Sequence, residues 1–232
     1  MLVALTALFL LVALVAQYTL PGYLERRLGP ELGRALEARG PTEVRIRSSL
    51  ALELLAGRFD ELDLEVHEAV VGGVELERVA VSARGLRLNL RGLLKQEGLT
   101  VVDPGTVTVN LKLSEEALNR YFWEKVEGAK PFRIDLSPDA AMVAGTLRVL
   151  GLDVKLFMRT RVEIRPSSVV ALVPVEFSVG DKNVPRFVLR ALADQMEFAL
   201  DFSSLPIPMQ INEIRLQEGS MLVFGGNLST TP

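Results

Sequence analysis

Between Thr42 and Phe224 apolar and polar residues alternate again and again, and a period of two is the pattern of a strand that keeps one face against a core. Leu62, Leu64 and Val66 alternate with Asp63, Glu65 and His67. Val107, Val109, Leu111 and Leu113 repeat the pattern, as do Phe132, Ile134 and Leu136, and then Val154, Leu156, Met158, Thr160, Val162 and Ile164. The alternation predicts strands near 42–48, 60–67, 74–82, 86–91, 106–113, 131–137, 141–150, 153–165, 169–178, 210–217 and 221–225. Gly72-Gly73, Asp103-Pro104-Gly105, Ser137-Pro138-Asp139, Pro166-Ser167-Ser168 and Gly180-Asp181 supply the turns between them. Short strands with so few helices between them predict antiparallel meanders. Leu76-x-x-Val79-x-Val81 before Gly85 is echoed by Ile211-x-x-Ile214-x-Leu216 before Gly219.

Helices are expected in three places. Met1–Leu20 carries no charged side chain, and ~19 apolar or near-apolar residues at ~1.5 Å each reach ~28 Å, about the hydrocarbon thickness of a bilayer. This predicts a membrane anchor. A secretory signal is the alternative, with Leu14-Val15-Ala16 as a cleavage site, although no basic stretch precedes the apolar run. Arg26 and Arg27 follow the segment, and by the positive-inside rule alone they would hold the body in the cytoplasm. Pro21-Gly22 is expected to break the apolar helix. Beyond it Leu24, Leu28, Leu32, Ala35 and Leu36 form an amphipathic stripe, interrupted or kinked near Pro30 and stopped by Gly40-Pro41; it either packs on the sheet or lies among lipid headgroups. Ser114 is a good N-cap for a helix over 115–126, with Leu118, Tyr121, Phe122 and Val126 on one face. Pro185 suits the first turn of another, with Val188, Leu192 and Met196 on one face and Phe187, Ala191 and Phe198 widening it. The domain reading is an anchor or signal over 1–20, one α+β domain over 21–226 and a disordered tail over 227–232.

Chemistry has little to work with. The chain has no cysteine, so disulfides and thiolate metal sites are out, and His67 is its single histidine. His67 shares a strand face with Asp63 and Glu65, the signature of a solvated face. Glu115/Glu116 and Asp194/Glu197 are acid pairs that read as first-turn and polar-face residues of their helices. A hydrolase would have to recruit His67 or Asp194 with none of the usual motifs around them. A net charge of −3, with no basic cluster, argues against nucleic acid. Asn227-Leu228-Ser229 is a glycosylation triplet in form. A non-enzyme without cofactor or metal is expected.

The chain resembles the LmeA-like phospholipid-binding family of bacterial envelope proteins. The resemblance rests on the N-terminal apolar segment and its following helix, on Leu54-Leu55-Ala56-Gly57-Arg58-Phe59 before the Leu62/Leu64/Val66 strand, and on the run from Val107 to Asn119 in which a strand enters a capped helix. It rests most on Leu205-Pro206-Ile207-Pro208-Met209-Gln210-Ile211 with Ile214, Leu216 and Gly219. It implies a tubular lipid-binding-like fold, a strongly curved antiparallel β-sheet wrapped around a long helix, with an apolar groove for acyl chains. It also implies a body on the extracytoplasmic side of the cell membrane, phospholipid or a lipid-linked precursor as partner, and a part in envelope lipid transfer or maintenance. Candidate groove residues are Leu32, Leu36, Val109, Leu111, Phe122, Phe132, Ile134, Phe187, Leu192 and Met196, each also explicable as plain core; Trp123 is placed at the groove mouth or the headgroup layer. Two acyl chains of ~30 methylenes at ~0.8 kcal/mol each would give ~24 kcal/mol from water, beyond the practical ceiling of ~21 for noncovalent affinity, so the relevant exchange is bilayer to protein. The rival reading is a membrane-anchored scaffold whose core is filled by its own side chains.

Overall fold

The structure, a computed structural model, describes residues 2–49, 51–89, 100–149, 152–166, 168–180, 182–183, 198–203, 205 and 209–227, with backbone alone at 2–16, 18, 51–52, 147–149, 152 and 182–183. It is mostly antiparallel β-sheet with a curled half-barrel sheet and few helices. Contacts gather into two compact units. The first comprises Met1–Ala69, Val79–Val109 and Gly226–Pro232; the second comprises Val70–Arg78 and Asn110–Gly225.

In the first unit, helix α1 (Leu2–Ala35) runs onto strand β1 (Thr42–Arg47). It passes through both Pro21 and Pro30, so the break expected at Pro21-Gly22 is absent. A proline inside a helix removes one hydrogen bond and crowds a carbonyl, yet the helix continues through both. Leu24 and Leu28 are buried on the stripe, and Gly29 and Gly33 lie against Val44 and Thr42. Glu25 Oε1 accepts a bond of 2.8 Å from Ile46 N, and Gln17 Nε2 donates to the Ser48 and Ser49 carbonyls at 3.2 Å. Among the described residues no helix is long and apolar enough to cross a membrane; most side chains of the expected anchor lie outside the described residues. A short helix α2 (Ala51–Leu55) leads into β2 (Arg58–Val71), and β1 pairs antiparallel with β2 from Thr42↔Val66 to Arg47↔Glu61.

Strand β2 outruns its expected end, and β3 (Val74–Leu88) replaces the two strands expected over 74–82 and 86–91. In both cases the alternation slips by one residue. Val66 and Ala69 are buried on either side of Glu68, which has a φ of 52°, and Ala83 and Leu86 on either side of Gly85, which has a φ of 70°. One extra residue in a left-handed conformation is the mark of a β-bulge, which bends a strand without ending it. Strand β4 (Val101–Asp103) pairs with β3, and β5 (Thr106–Ser114) follows. Asn227, the first residue of the expected tail, is tied into this unit: its side chain accepts from Val107 N at 2.6 Å and donates to the Gly105 carbonyl at 2.5 Å.

The second unit holds helix α3 (Glu115–Lys125) and the antiparallel run β6 (Phe132–Ser137), β7 (Ala140–Val149), β8 (Leu152–Arg165) and β9 (Val169–Val179). Its six-stranded sheet has the order β10-β9-β8-β7-β6, with β10 (Lys182–Asn183) at one edge and β11 (Phe198–Asp201) also paired to β9. Phe198, expected on a helix face, therefore belongs to a strand; the rest of that helix, 184–197, lies outside the described residues. β12 (Gln210–Gln217) and β13 (Ser220–Gly226) close the chain, and the seven-stranded sheet reads β1-β2-β3-β5-β13-β12 with β4 on β3.

Candidate functional site

Strand β6 is an edge, and an edge strand presents unpaired N–H and C=O groups at every second residue. Helix α3 answers them with side chains four residues apart. Glu115 Oε2 accepts from Leu136 N at 2.8 Å. Asn119, 2% exposed, accepts from Ile134 N and donates to Ile134 O, both at 2.7 Å, while its amide also donates to the Glu115 carbonyl at 2.9 Å. Trp123 Nε1 donates to the Phe132 carbonyl at 2.6 Å, and Gly219 N reaches the Leu136 carbonyl at 3.1 Å. The helix is set for this by its cap, as Ser114 Oγ accepts from Ala117 N at 3.2 Å. Positions i, i+4 and i+8 share a helical face, so α3 stands in for a strand. Trp123, placed by sequence at a groove mouth or among headgroups, is one of its rungs. Among the described residues no buried side-chain nitrogen or oxygen lacks a partner.

The sheet that this helix seals carries an apolar face graded from closed to open. Register puts Leu136, Ala141 and Thr160 in one row, Ile134, Val143, Met158 and Phe177 in the next, and Phe132, Gly145, Leu156 and Val179 in a third. Ala141, Leu136, Ile134, Val143 and Thr160 are buried, and Thr160 Oγ1 is satisfied by the Ala141 carbonyl at 2.7 Å. Met158, Phe177, Phe132 and Leu156 are half-buried, and Val179 is 38% exposed. Phe132 lies across Gly145, whose missing Cβ would collide with the ring. At the closed side Tyr121 and Phe122 of α3 pack on Phe198, with ring centroids 5.8 and 5.2 Å apart. Burial pushes the Tyr121 phenol above its ordinary value, and the nearby Asp201 charge adds to the effect. From Val154 to Met158 the half-open face of β8 runs ~13 Å at ~3.3 Å per residue, close to the ~15 Å depth of one leaflet's hydrocarbon.

Two clefts accompany these surfaces, one in each unit. The first, about 910 Å³, lies along α1 and β1 and is ringed by charge: Glu25, Arg26, Arg34, Glu37, Glu43 and Arg45. The second, about 770 Å³, mixes Val162, Ile164, Ile214 and Leu216 with Arg159, Arg161 and Arg215. Neither is an apolar tunnel.

The groove residues expected from sequence fall in three groups. Leu36 and Val109 are buried and Leu32 half-buried in the first unit. Leu111, Phe122 and Ile134 are buried and Phe132 half-buried in the second, where α3 packs on β6. Phe187, Leu192 and Met196 lie outside the described residues. Sequence reasoning missed Leu156, Met158, Phe177 and Val179, although the alternation of β8 and β9 already put them on one face.

The family model for LmeA-like phospholipid-binding proteins matches residues 15–225. The chain belongs to this family. No curated protein and no solved structure matches it. In this member of the LmeA-like family His67 and Glu115 each have a partner among the described residues, while Asp194 and Glu197 lie outside them. His67 Nε2 lies 3.5 Å from Glu65 Oε1 on an exposed strand face, and Glu115 binds both Leu136 N and Arg133, the latter at 2.8 Å. Among the described residues no group of three His, Cys, Asp or Glu side chains could hold a metal ion.

Proposed function

We propose that the chain is a non-enzymatic lipid-binding protein of the cell envelope, tethered to the membrane through its N-terminal segment. It holds the acyl chains of a phospholipid or lipid-linked precursor on the graded face of β6–β9 and serves envelope lipid transfer or maintenance, with its body on the extracytoplasmic side. One observation carries the reading. Apolar side chains on that face pass from fully buried at Ile134 to 38% exposed at Val179 without a polar residue between. A half-covered aliphatic surface of this length suits a hydrocarbon chain, because each methylene moved from water onto it gains ~0.8 kcal/mol, while from a bilayer the net change is small and reversible. Family membership supports the ligand class. The side chains offer no headgroup selectivity, since the rows hold no charge.

The test is mass spectrometry of lipid extracted from the full chain purified in lipid-free detergent. Stoichiometric phospholipid is expected, falling at least five-fold in the Leu156→Lys and Met158→Lys variants. A chain that carries no lipid, with those variants folding and behaving like the parent, would instead leave a membrane-anchored scaffold.

A further inference from the structure

Helix α1 and strand β1 of the first unit run side by side with parallel axes. Gln17 bonds the Ser48 and Ser49 carbonyls at 3.2 Å, Glu25 bonds Ile46 N, and Gly29 and Gly33 abut Val44 and Thr42. From Gln17 to Gly33 the helix rises ~24 Å at ~1.5 Å per residue, and from Thr42 to Ser49 the extended chain covers ~23 Å at ~3.3 Å per residue. Gln17 is therefore level with one end of the sheet, and the stretch of α1 before it, residues 2–16, overruns that end by ~22 Å. No charged residue precedes Glu25, which stands ~12 Å along the axis from Gln17. Other elements meet at the same end. Helix α2 follows Ser49 and packs on α1; just after it Gly57 accepts from the N–H of Leu88, the last residue of β3, and Leu88 pairs with Val101 of β4. Leu55, Val101 and Val102 thus share the end from which α1 projects, and they are 60%, 42% and 66% exposed. This end is charged as well. Arg58 is exposed with no ion-pair partner among the described residues, Arg87 lies 4.0 Å from Asp103, Asp60 and Asp103 accept from Ser49 N and Gly105 N, and Glu53 is half-buried. Asn89 and Thr100, exposed and uncharged, lie beyond Leu88 and Val101, and residues 90–99 that join them are outside the described residues. Apolar side chains mixed with cations and uncharged polar groups suit the headgroup layer of a bilayer, not its hydrocarbon.

We propose that this end of the first unit seats on a lipid leaflet, with Leu55, Val101 and Val102 among the headgroups and Arg58 at the level of the phosphates. The projecting helix identifies what covers the patch: α1 is unbroken into the body and bonded to β1, so it brings this end, and not the far end of β1, against the surface that its uncharged stretch enters. The seat rests on the reading of the N-terminal segment as a membrane tether and adds an orientation to it, in which β1, β2 and β3 stand on end over the leaflet. It is independent of where acyl chains are held.

The absence of cysteine lets single positions be probed. Leu55→Cys and Val102→Cys, each labelled with an environment-sensitive fluorophore in the full chain, are reconstituted into phosphatidylcholine vesicles containing one-fifth phosphatidylglycerol and a lipid with a nitroxide near its headgroup. Quenching of at least two-fold is expected at both positions, with none at the exposed Glu43→Cys, ~20 Å along the strand from Ser49. Leu55→Asp combined with Arg58→Glu, two exposed positions, is expected to lower quenching of the Val102→Cys probe at least two-fold; unchanged quenching in that variant overturns the proposal. Quenching at one of the two positions only, at neither, or equally at Glu43→Cys does the same. So does shielding of both probes that grows with protein concentration in the absence of lipid, the mark of a contact with a second copy. Flotation separates the seat from the tether. A chain that floats with the vesicles yet shows no quenching sinks the seat alone, and a chain that does not float sinks the tether and the seat together.

Discussion

The edge at β6 and the open end of β8 and β9 belong to one sheet and treat water in opposite ways. At β6 the backbone groups that would have faced solvent are matched one by one by Glu115, Asn119 and Trp123. At the other place Leu156, Met158 and Phe177 stand half-buried and Val179 38% exposed. The energetic stakes differ. An orphaned buried backbone group costs ~1–3 kcal/mol, whereas full burial of a Val, Leu or Phe is worth ~1.5–3 kcal/mol, so a side chain left two-fifths exposed forgoes only about 1 kcal/mol. The fold therefore closes its polar edge at every rung and can leave apolar surface open at small cost.

The contrast is easiest to break at Asn119. Asn119→Leu strips partners from Ile134 N and Ile134 O together and is expected to lose ~3–4 kcal/mol in urea unfolding; a loss under ~1 kcal/mol would mean water replaces the amide. Gly145→Ala comes next, at ~2 kcal/mol. Its Cβ would meet the Phe132 ring and also the Pro131 carbonyl at 2.5 Å, so adding Phe132→Ala should not restore stability in thermal unfolding. Trp123→Phe keeps the ring and removes the bond to the Phe132 carbonyl, and ~1 kcal/mol is expected by the same denaturant titration. At the open end, Phe157→Ser should change unfolding free energy by less than ~0.5 kcal/mol, as surface substitutions do; a large loss would show that Phe157 is core. The smallest effect is in acid. Hydrogen bonds from Ser203 hold the Asp201 carboxyl below its ordinary 3.8, and bonds from Ser49 do the same for Asp60. The unfolded chain then takes up protons first, so this stabilisation is present above the ordinary value and is lost as pH falls through the depressed folded values. Asp201→Asn should flatten acid unfolding between pH 4 and 2, followed by circular dichroism.

Local signals were readable because they are written in one strand or one turn. The alternation of β5, β6, β8 and β9 and the Ser114 cap appear in the structure where sequence put them. Bulges were not readable, because Glu68 and Gly85 shift the phase and a shifted phase looks like a gap. Nor was the continuity of α1 through Pro21, which depends on β1 packing alongside. For the site, the sequence pointed to apolar residues as a class without separating filled from open. Ile134 and Leu156 read alike in the pattern, and only register with β7 and β9 shows that one is sealed and the other half-bare. Asn119 looked like an ordinary polar helix residue, since its partner is fixed by tertiary structure.

The seal on β6 has a bearing on how the chain reaches its shape. Glu115, Asn119 and Trp123 bind residues only 21, 15 and 9 positions away, and short loops close at low entropic cost and early. Three of the rungs on β6 can thus form from neighbouring sequence alone, leaving only the Gly219 rung to wait for the end of the chain, and the border is guarded against misassembly while the distant strands are still to be placed.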